Sequence, residues 1–336
     1  MKSRFLYMRT MKSSQAIDWR QILRSNFNNW KSLADFLELD ESQRNHLYKK
    51  PAFSLNFPLR LAQKCAKGCL DDPILQQFVP TVYEQESKLG FIPDPTKDLS
   101  FCKTSKMLKK YAGRVLLICT SACAMHCRYC FRQNFNYNVQ NKFFDDEIEE
   151  IKKDSSIFEV ILSGGDPLSL SNEALGQLID NLCRIPHVRR IRFHTRFPIG
   201  IPERIDCPLL EIIENASKQV WFILHANHPK ELDGDVLAAM EQLRKKGAVL
   251  LCQTVLLRGI NDSVETLSEL FFTLVDHGIQ PYYLHQLDRV QGAAHFEVSI
   301  EQGKALMKAL SQILPGYALP RYVQELAGEP NKTILY

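Results

Sequence analysis

The chain has 336 residues, of which 45% are hydrophobic and 24% are charged, and its formal net charge is +4. This composition is close to the globular average, which excludes a disordered, collagen-like or low-complexity protein. Basic residues only slightly outnumber acidic ones, and they are dispersed along the chain. We therefore expect no binding to nucleic acid or to an anionic membrane. No apolar run approaches the roughly 18 residues of a membrane span, so the sequence predicts a soluble protein of about two domains, or of one large domain with an appendage.

The first residues, MKSRFLYMRTMKSSQ, are basic but contain neither the apolar segment nor the cleavage site of a secretory signal. We therefore expect a cytoplasmic protein, with Met8 and Met11 as alternative start positions. The 10 cysteines are too few for a disulfide scaffold in a chain of this length, and the cytosol would keep them reduced.

Residues 1–105 have an irregular pattern that we interpret as a helical N-terminal extension, a wrapper or lid without a recognisable motif. Apolar residues at helical spacing are separated there by prolines. The predicted helices cover residues 19–23, 32–37, 41–49 and 59–67.

From residue 114 onward, short β-branched apolar runs alternate with longer amphipathic stretches. The runs predict strands at 114–119, 158–163, 189–195, 220–226, 248–254 and 281–285. The amphipathic stretches predict helices at 145–153, 172–183, 208–217, 231–246, 263–277 and 301–313. Six units of about 33 residues are typical of parallel strands joined by right-handed helical crossovers. The fold class is therefore α/β, and strands with continuous rather than alternating apolar residues favour a parallel sheet or barrel buried on both faces.

Each predicted strand ends in polar residues. Examples are Ser163-Gly164-Gly165-Asp166 after the second strand, His225-Ala226-Asn227-His228 after the fourth, and Gln253 at the end of the fifth. In a parallel α/β barrel the carboxyl ends of the strands share the face that carries the active site. Loops are polar in any protein, but six such endings together favour one common site.

Four cysteines, Cys119, Cys123, Cys127 and Cys130, fall within twelve residues. Thiolates are soft ligands that select zinc or iron–sulfur clusters. The last three have x3 and x2 spacing, so a tight loop can place them around one inorganic core and leave a coordination position open. The alternative is a four-cysteine zinc site that includes Cys119, although a cysteine at the end of an apolar run is more often a core residue.

The x3–x2 spacing is the signature of the radical S-adenosylmethionine superfamily. The strings CAMHCRYCFRQNF, SGGDPL, HTRFPIGIPERI, HANHP, QTVLLRGIND and PYYLHQLD occur in order and together resemble the lysine 2,3-aminomutase family of isomerases. This resemblance implies a partial (β/α)6 TIM-like barrel of the radical S-adenosylmethionine type over residues 106–336, preceded by the helical extension.

The resemblance also implies cofactor roles. Cys123, Cys127 and Cys130 would hold a [4Fe-4S] cluster whose open iron binds S-adenosyl-L-methionine. Other residues would contact that cofactor: Ser163, Gly164, Gly165 and Asp166 on the methionine side, and His225, Asn227, His228 and Gln253 on the adenosine side. For the glycine segment a plain strand-to-helix turn is an equally good interpretation, with Asp166 as N-cap and Pro167 in the first helical position.

A second cofactor implied by the resemblance is pyridoxal 5′-phosphate. Lys332 matches the Schiff-base lysine of the family, although without the resemblance it reads as an ordinary surface residue. Arg114 matches an arginine on the cofactor phosphate, a role that suits a guanidinium fork. Tyr111 also matches a residue of the cofactor site.

The implied substrate is L-lysine. Arg132 matches the arginine that binds the substrate carboxylate, and Asp288 matches a carboxylate for the ε-ammonium. The second such carboxylate is aspartate in the lysine-catabolising members and is Glu325 here, so its reach differs. An aminomutase for another amino acid, such as arginine or glutamate, would need a different pair at these two positions.

The stretches PYYLHQLDRVQGAAHF and GEPNK most resemble the branch of the family that makes (R)-β-lysine for the modification of translation elongation factor P. This implies a functional link to elongation factor P and its lysyl ligase. It also implies an electron donor such as flavodoxin or ferredoxin for the cluster, and it leaves a homo-oligomer open.

Overall fold

The computed structural model describes residues 18–136 and 143–336. Residues 1–17, which contain the basic start and the alternative methionines, lie outside the described residues, as do residues 137–142. In the described part of the chain, no helix is long and apolar enough to cross a lipid bilayer.

Ten strands of the described residues form one sheet, in which the spatial order follows the chain order. Strands β3 to β9 run parallel to one another, and short antiparallel strands extend both edges. The strands are β1 (Cys102–Thr104), β2 (Met107–Leu108), β3 (Arg114–Ile118), β4 (Glu159–Ser163), β5 (Arg190–Thr195), β6 (Gln219–His225), β7 (Val249–Val255), β8 (Gln280–His285), β9 (Arg321–Gln324) and β10 (Thr333–Ile334).

The sheet is open, because its edges are β1 on one side and β10 on the other. Leu116 of β3 and Val323 of β9 nevertheless line the same cavity, which places that cavity inside the curve of the sheet. The predicted α/β fold with a partial barrel is therefore confirmed. The prediction missed one further parallel strand, β9, because this strand has only four residues, Arg-Tyr-Val-Gln, and its apolar pattern is too short to recognise.

The helices are α1 (Trp19–Arg24), α2 (Trp30–Phe36), α3 (Glu41–His46), α4 (Leu59–Lys64), α5 (Pro73–Phe78), α6 (Asp145–Lys153), α7 (Asn172–Cys183), α8 (Phe197–Gly200), α9 (Cys207–Asn215), α10 (Gly234–Lys245), α11 (Val264–Asp276) and α12 (Ile300–Leu310). The six helices and six strands predicted between residues 114 and 313 are all present, with ends shifted by at most three residues. Side chains cap five of the barrel helices, α7 and α9 to α12, at their first turns, where they accept hydrogen bonds from backbone N–H groups that lack a helical partner. These caps are Ser171, Asp206, Asp233, Ser263 and Ser299.

The N-terminal segment differs from the prediction in one missed helix and in several helix ends, such as that of α4, which ends at Lys64 rather than at residue 67. Helix α5 was missed because Pro73 reads as a helix breaker, whereas here it occupies the first turn behind the N-cap Asp72. Helix α3 ends at His46, three residues earlier than predicted, because Leu47 turns into extended backbone and pairs with Thr81.

The N-terminal segment and the barrel share one continuous hydrophobic core. Trp19 meets Phe197 edge-on at 5.4 Å between ring centroids. The buried guanidinium of Arg128 donates to both oxygens of Glu84, at 2.8 and 2.5 Å. Since Arg128 lies between two of the loop cysteines, this pair fixes the cysteine loop to the N-terminal segment, and breaking a buried ion pair of this kind typically costs about 3–5 kcal/mol. The division at residue 106 stays a prediction, and β1 already begins at Cys102.

Candidate active site

A cavity of about 550 Å³ lies at the carboxyl ends of the parallel strands. It is lined by all of the site residues predicted from the sequence except Asn227 and His228. The N-terminal segment closes one side of it with Phe53, Thr96 and Asp98, so the predicted wrapper also contributes to the site.

The three cysteines of the x3–x2 motif, Cys123, Cys127 and Cys130, line one part of the cavity, whereas Cys119 does not. Cys119 is buried directly after β3, and its thiol donates to the Leu117 carbonyl at 3.6 Å. Burial raises the pKa of Cys119 to about 12. The structure thus places Cys119 in the core and leaves three thiols for an inorganic group.

The cysteine loop is held by direct backbone contact with the turn after β4. Gly165 N–H donates to the Thr120 carbonyl at 2.6 Å, and Asp166 N–H donates to the Ala122 carbonyl at 2.8 Å. A Cβ on Gly165 would lie 2.3 Å from the Ala122 carbonyl oxygen, and Gly164 has a φ of +115°, where side chains are rarely tolerated. The two glycines therefore allow the two loops to pack against each other, in addition to lining the cavity.

Asp166 is occupied by protein donors. It accepts hydrogen bonds from the N–H groups of Leu168, Arg196 and Phe197 and from Thr195 Oγ1, at 2.8 to 3.0 Å. Burial raises the pKa of Asp166 to about 6, although these donors act in the opposite direction. The N-cap interpretation of Asp166 therefore holds, and its carboxylate orders the turn.

Asn227 and His228 lie outside the cavity for a physical reason. The Asn227 amide is fully buried and donates to Gln77 Oε1 at 3.0 Å and to the Tyr129 hydroxyl at 2.6 Å. His228 Nδ1 accepts the Lys230 N–H at 3.1 Å and caps a short helical turn. The prediction that these two side chains contact a cofactor is not supported by their positions, since both are used in packing the strand end, whereas His225 and Gln253 do line the cavity.

Arg196, which the sequence analysis did not single out, lies between this buried network and the cysteine loop. Its Nη1 donates to Cys127 Sγ at 2.9 Å, and its Nη2 donates to Glu231 at 2.8 Å and to Gln77 at 2.6 Å. The buried guanidinium therefore connects one thiol of the cysteine loop to the network behind it.

The donor set suits a cluster. Three soft thiols on one short loop share a wall of the cavity, and open space lies beside them. Within residues 18–136 and 143–336, no three His, Cys, Asp or Glu side chains are arranged to hold a single metal ion. Burial raises the pKa of Cys130 to about 11 and that of Cys123 well above its usual value, so the positive charge of the irons would be needed to stabilise the thiolates.

Charged residues line the other part of the cavity. Arg132 donates through Nε to Asp98 at 2.7 Å and through Nη1 to Ser163 Oγ at 3.3 Å. Asp98 also receives Lys110 Nζ at 2.6 Å. Burial alone would raise the pKa of Asp98, but Arg132 and Lys110 hold it well below its usual value. Sequence reasoning missed Asp98 and Lys110 because neither lies in a motif or at a predicted strand end.

Glu325 accepts the Tyr111 hydroxyl at 2.6 Å and Lys332 Nζ at 2.5 Å. Burial would raise its pKa, yet the neighbouring Lys332 ammonium lowers it. Tyr111, predicted to contact a cofactor, lines the cavity, and its hydroxyl donates to the Glu325 carboxylate.

Asp288 faces the cavity without a hydrogen bond to its carboxylate from any described residue. Burial raises the pKa of Asp288 to about 7, and the nearby Lys332 ammonium only partly opposes this. A buried carboxylate without a partner on a cavity wall is suited to a cationic ligand.

Arg114 meets the requirement of an anion-binding residue. Its guanidinium lies 4.8 Å from the centre of the Tyr111 ring, and its buried Nε has no hydrogen-bond partner among the described residues. His285 Nε2, also on the cavity wall, is buried without a partner as well. A phosphate near Arg114 and an aldehyde near Lys332 are therefore compatible with the residues present.

Comparison with known proteins agrees with this geometry. A family model described as a 4Fe-4S single cluster domain matches residues 112–191. The L-lysine 2,3-aminomutase of Escherichia coli (strain K12) is 37% identical over 331 residues, covering 97% of this chain and 96% of the relative. The chain belongs to the lysine 2,3-aminomutase family. A second L-lysine 2,3-aminomutase, from Haemophilus influenzae, is 37% identical over 94% of this chain and 95% of its own length. A solved radical SAM methyltransferase from Sphaerobacter thermophilus covers 65% of this chain and 68% of its own length, with a TM-score of 0.47 and 17% identity.

Membership of this family confirms the resemblance seen in the sequence and makes the protein an isomerase of the radical S-adenosylmethionine superfamily, for which a [4Fe-4S] cluster and S-adenosyl-L-methionine are the supported cofactors. The alternative of a zinc-binding module is wrong, because the match to the L-lysine 2,3-aminomutase of Escherichia coli covers 97% of this chain.

Gly165→Ala should disrupt the cysteine loop. The added Cβ would collide with the backbone of Ser121 and Ala122, which cannot move without displacing Cys123. We expect iron and sulfide per chain, after anaerobic reconstitution, to fall to less than about half of the wild-type value. Gly234→Ala is the matched control, since nothing lies within 4 Å of its Cβ. Full iron content in Gly165→Ala would contradict the packing described.

Proposed function

We propose that this chain is an L-lysine 2,3-aminomutase that moves the α-amino group of L-lysine to C3 and forms (R)-β-lysine. The observation that carries the proposal is a single cavity lined by three cysteines, by an arginine for the carboxylate of lysine and by two carboxylates for its ε-ammonium. The family relationship supports the reaction class, and the charged residues support the substrate.

Cys123, Cys127 and Cys130 are the residues that would hold the cluster. When bound together, the cluster and S-adenosyl-L-methionine supply a 5′-deoxyadenosyl radical that removes a hydrogen atom from C3 of the substrate. Ser163, Gly164 and Gly165 line the cavity next to the cysteine loop and leave room for the methionine end of that cofactor, while His225 and Gln253 line it farther along the strand ends.

Lys332 and Arg114 are the residues that would hold pyridoxal 5′-phosphate. When bound, this cofactor supplies an aldehyde for the migrating amine and a ring that stabilises an adjacent radical. Arg114 would bind the phosphate, since its guanidinium has a buried Nε without a partner. Lys332 Nζ lies in the cavity, where Glu325 fixes its position.

The charges of lysine match the remaining groups. Arg132 would bind the substrate carboxylate, and Asp288 and Glu325 would bind the ε-ammonium. An uncharged amino acid would leave the buried Asp288 carboxylate without a cation, and glutamate would place a further negative charge beside Asp288 and Glu325. Lysine therefore fits better than glutamate. Arginine has a longer cationic side chain than lysine, and it is the competing substrate in the assay described below.

The product has a proposed consumer. The PYYLHQLDRVQGAAHF and GEPNK stretches support a role in supplying (R)-β-lysine to a lysyl ligase that modifies elongation factor P. A flavodoxin or ferredoxin would reduce the cluster.

The direct test is an anaerobic assay with reductant, S-adenosyl-L-methionine, pyridoxal 5′-phosphate and L-lysine, scored by chiral chromatography. We expect (R)-β-lysine and no product from L-glutamate. Turnover of L-arginine without turnover of L-lysine would reverse the substrate assignment, and formation of the S enantiomer would contradict the link to elongation factor P.

Lys332→Ala tests the pyridoxal assignment. The substitution removes the amine that would form the imine, so borohydride reduction should no longer trap a pyridoxal adduct, while iron content stays at the wild-type level. Lys153→Ala, at an exposed ion pair with Glu150, is the control and should retain the adduct. A trapped adduct in Lys332→Ala would remove Lys332 from this role.

Asp288 predicts a pH dependence of lysine affinity. Because its pKa is raised to about 7, the carboxylate takes up a proton as the pH falls through that value and loses its attraction for the ammonium. We expect the ratio of kcat/KM between wild type and Asp288→Asn to fall several-fold from about pH 8 to about pH 6. The ratio cancels the titration of the substrate amine. A ratio that is constant across this window would contradict the contact with the ammonium.

A further inference from the structure

Five side chains of alternating charge form a continuous series across the cavity. We call it the charge chain, and in order it consists of Arg132, Asp98, Lys110, Glu325 and Lys332. The successive contacts are 2.7 Å from Arg132 Nε to Asp98, 2.6 Å from Asp98 to Lys110 Nζ, 3.8 Å from Lys110 Nζ to Glu325, and 2.5 Å from Glu325 to Lys332 Nζ.

Two members of the charge chain, Asp98 and Lys110, have no role in the reaction as proposed. The Asp98 side chain is 1% exposed and that of Lys110 is 15% exposed. Lys110 Nζ also donates to the Thr96 carbonyl at 2.8 Å, and the ammonium lies 5.3 Å from the centre of the Phe101 ring. Both charged groups are therefore held in place by the N-terminal segment rather than by solvent.

The charge chain connects the two ends of the proposed lysine site. Arg132 would hold the substrate carboxylate at one end and Glu325 would hold the ammonium at the other. The two end groups are linked through ion pairs, since Asp98 bonds Arg132, and Lys110 contacts both Asp98 and Glu325. Removing one partner from a buried ion pair leaves an uncompensated charge, so the series resists any change in its spacing.

Lys110 also balances the local charge. Asp98 and Glu325 lie near Asp288 and, after burial, add to the rise of its pKa, whereas the Lys332 and Lys110 ammonium groups lower that pKa. An ammonium fixed between Asp98 and Glu325 keeps both carboxylates ionised and therefore keeps Glu325 competent to bind a cation.

We propose that Asp98 and Lys110 are positioning residues that fix the distance between Arg132 and Glu325, so that the site selects an amino acid with the length of lysine. This inference rests on the proposed lysine-binding function. The groups that contact the substrate are Arg132, Asp288 and Glu325, and Lys110 acts through Glu325 and through Asp98.

The test compares L-lysine with L-ornithine, which carries the same charges on a side chain shorter by one methylene. Lys110→Met removes the charge and keeps the length of the side chain. We expect it to raise KM for L-lysine at least about tenfold with a smaller change in kcat, and to lower the preference for lysine over ornithine at least about tenfold. Lys110→Arg restores the cation and should recover most of the preference.

Lys109→Met is the matched control, because the neighbouring lysine also forms an ion pair, with Asp154, but does not line the cavity. It should change KM and selectivity less than about twofold. Iron content and the borohydride-trapped adduct report whether each variant retains its cofactors. Affinities for both amino acids are also measured without reductant, from the change in pyridoxal absorbance, so that binding is read apart from turnover.

Unchanged selectivity in Lys110→Met with intact cofactors would overturn the proposal. Equal loss of iron, adduct and activity in both Lys110→Met and Asp98→Asn would also overturn it, since the two residues would then be structural only. Failure of the proposed function is seen separately, because the wild-type protein would then bind and convert neither amino acid.

Discussion

The parallel pairing of β3 with β4 is the constraint on which the site depends. Its register places Ile118 opposite Ser163, so the two strands end side by side. The cysteine loop and the Gly164-Gly165 turn therefore leave the sheet next to each other, and the absence of side chains on the glycines lets their backbones touch. This contact fixes the wall with three thiols relative to the strands that carry the charged residues of the cavity.

The N-terminal segment completes what the sheet begins. The Glu84 carboxylate anchors Arg128 within the cysteine loop, and Asp98 anchors Arg132 two residues beyond the last thiol. Both ion pairs are buried, and charge interactions are stronger where protein replaces water. A radical reaction also requires a site from which solvent and oxygen are kept away, so the same packing that orients the charged groups protects the chemistry.

The sequence was sufficient for the regular part of the molecule. Strong apolar periodicity located the strands and helices of the barrel, and the x3–x2 spacing identified three cysteines that share one wall. Where local signals competed, prediction was less accurate. Pro73 reads equally as a breaker and as a first-turn residue, and β9 is too short to stand out.

Tertiary contacts decided the remaining residues. Tyr111 binds Glu325 across more than 200 residues of sequence, and Asp98 meets Arg132 from an irregular loop, so neither contact has a local pattern. His228 and Asn227 follow a strand end, as the prediction required, but they turn away to cap a helical turn and to hold Gln77. Position at a strand end thus locates a residue near the site without fixing the direction of its side chain.

The central claim is that one cavity brings the radical-forming wall and the lysine-binding wall within reach of each other. The most direct measurement is anaerobic incubation with L-lysine deuterated at C3, followed by mass spectrometry of the 5′-deoxyadenosine. The account predicts deuterium in 5′-deoxyadenosine, with β-lysine as the product. Formation of 5′-deoxyadenosine without deuterium while lysine is bound would contradict it.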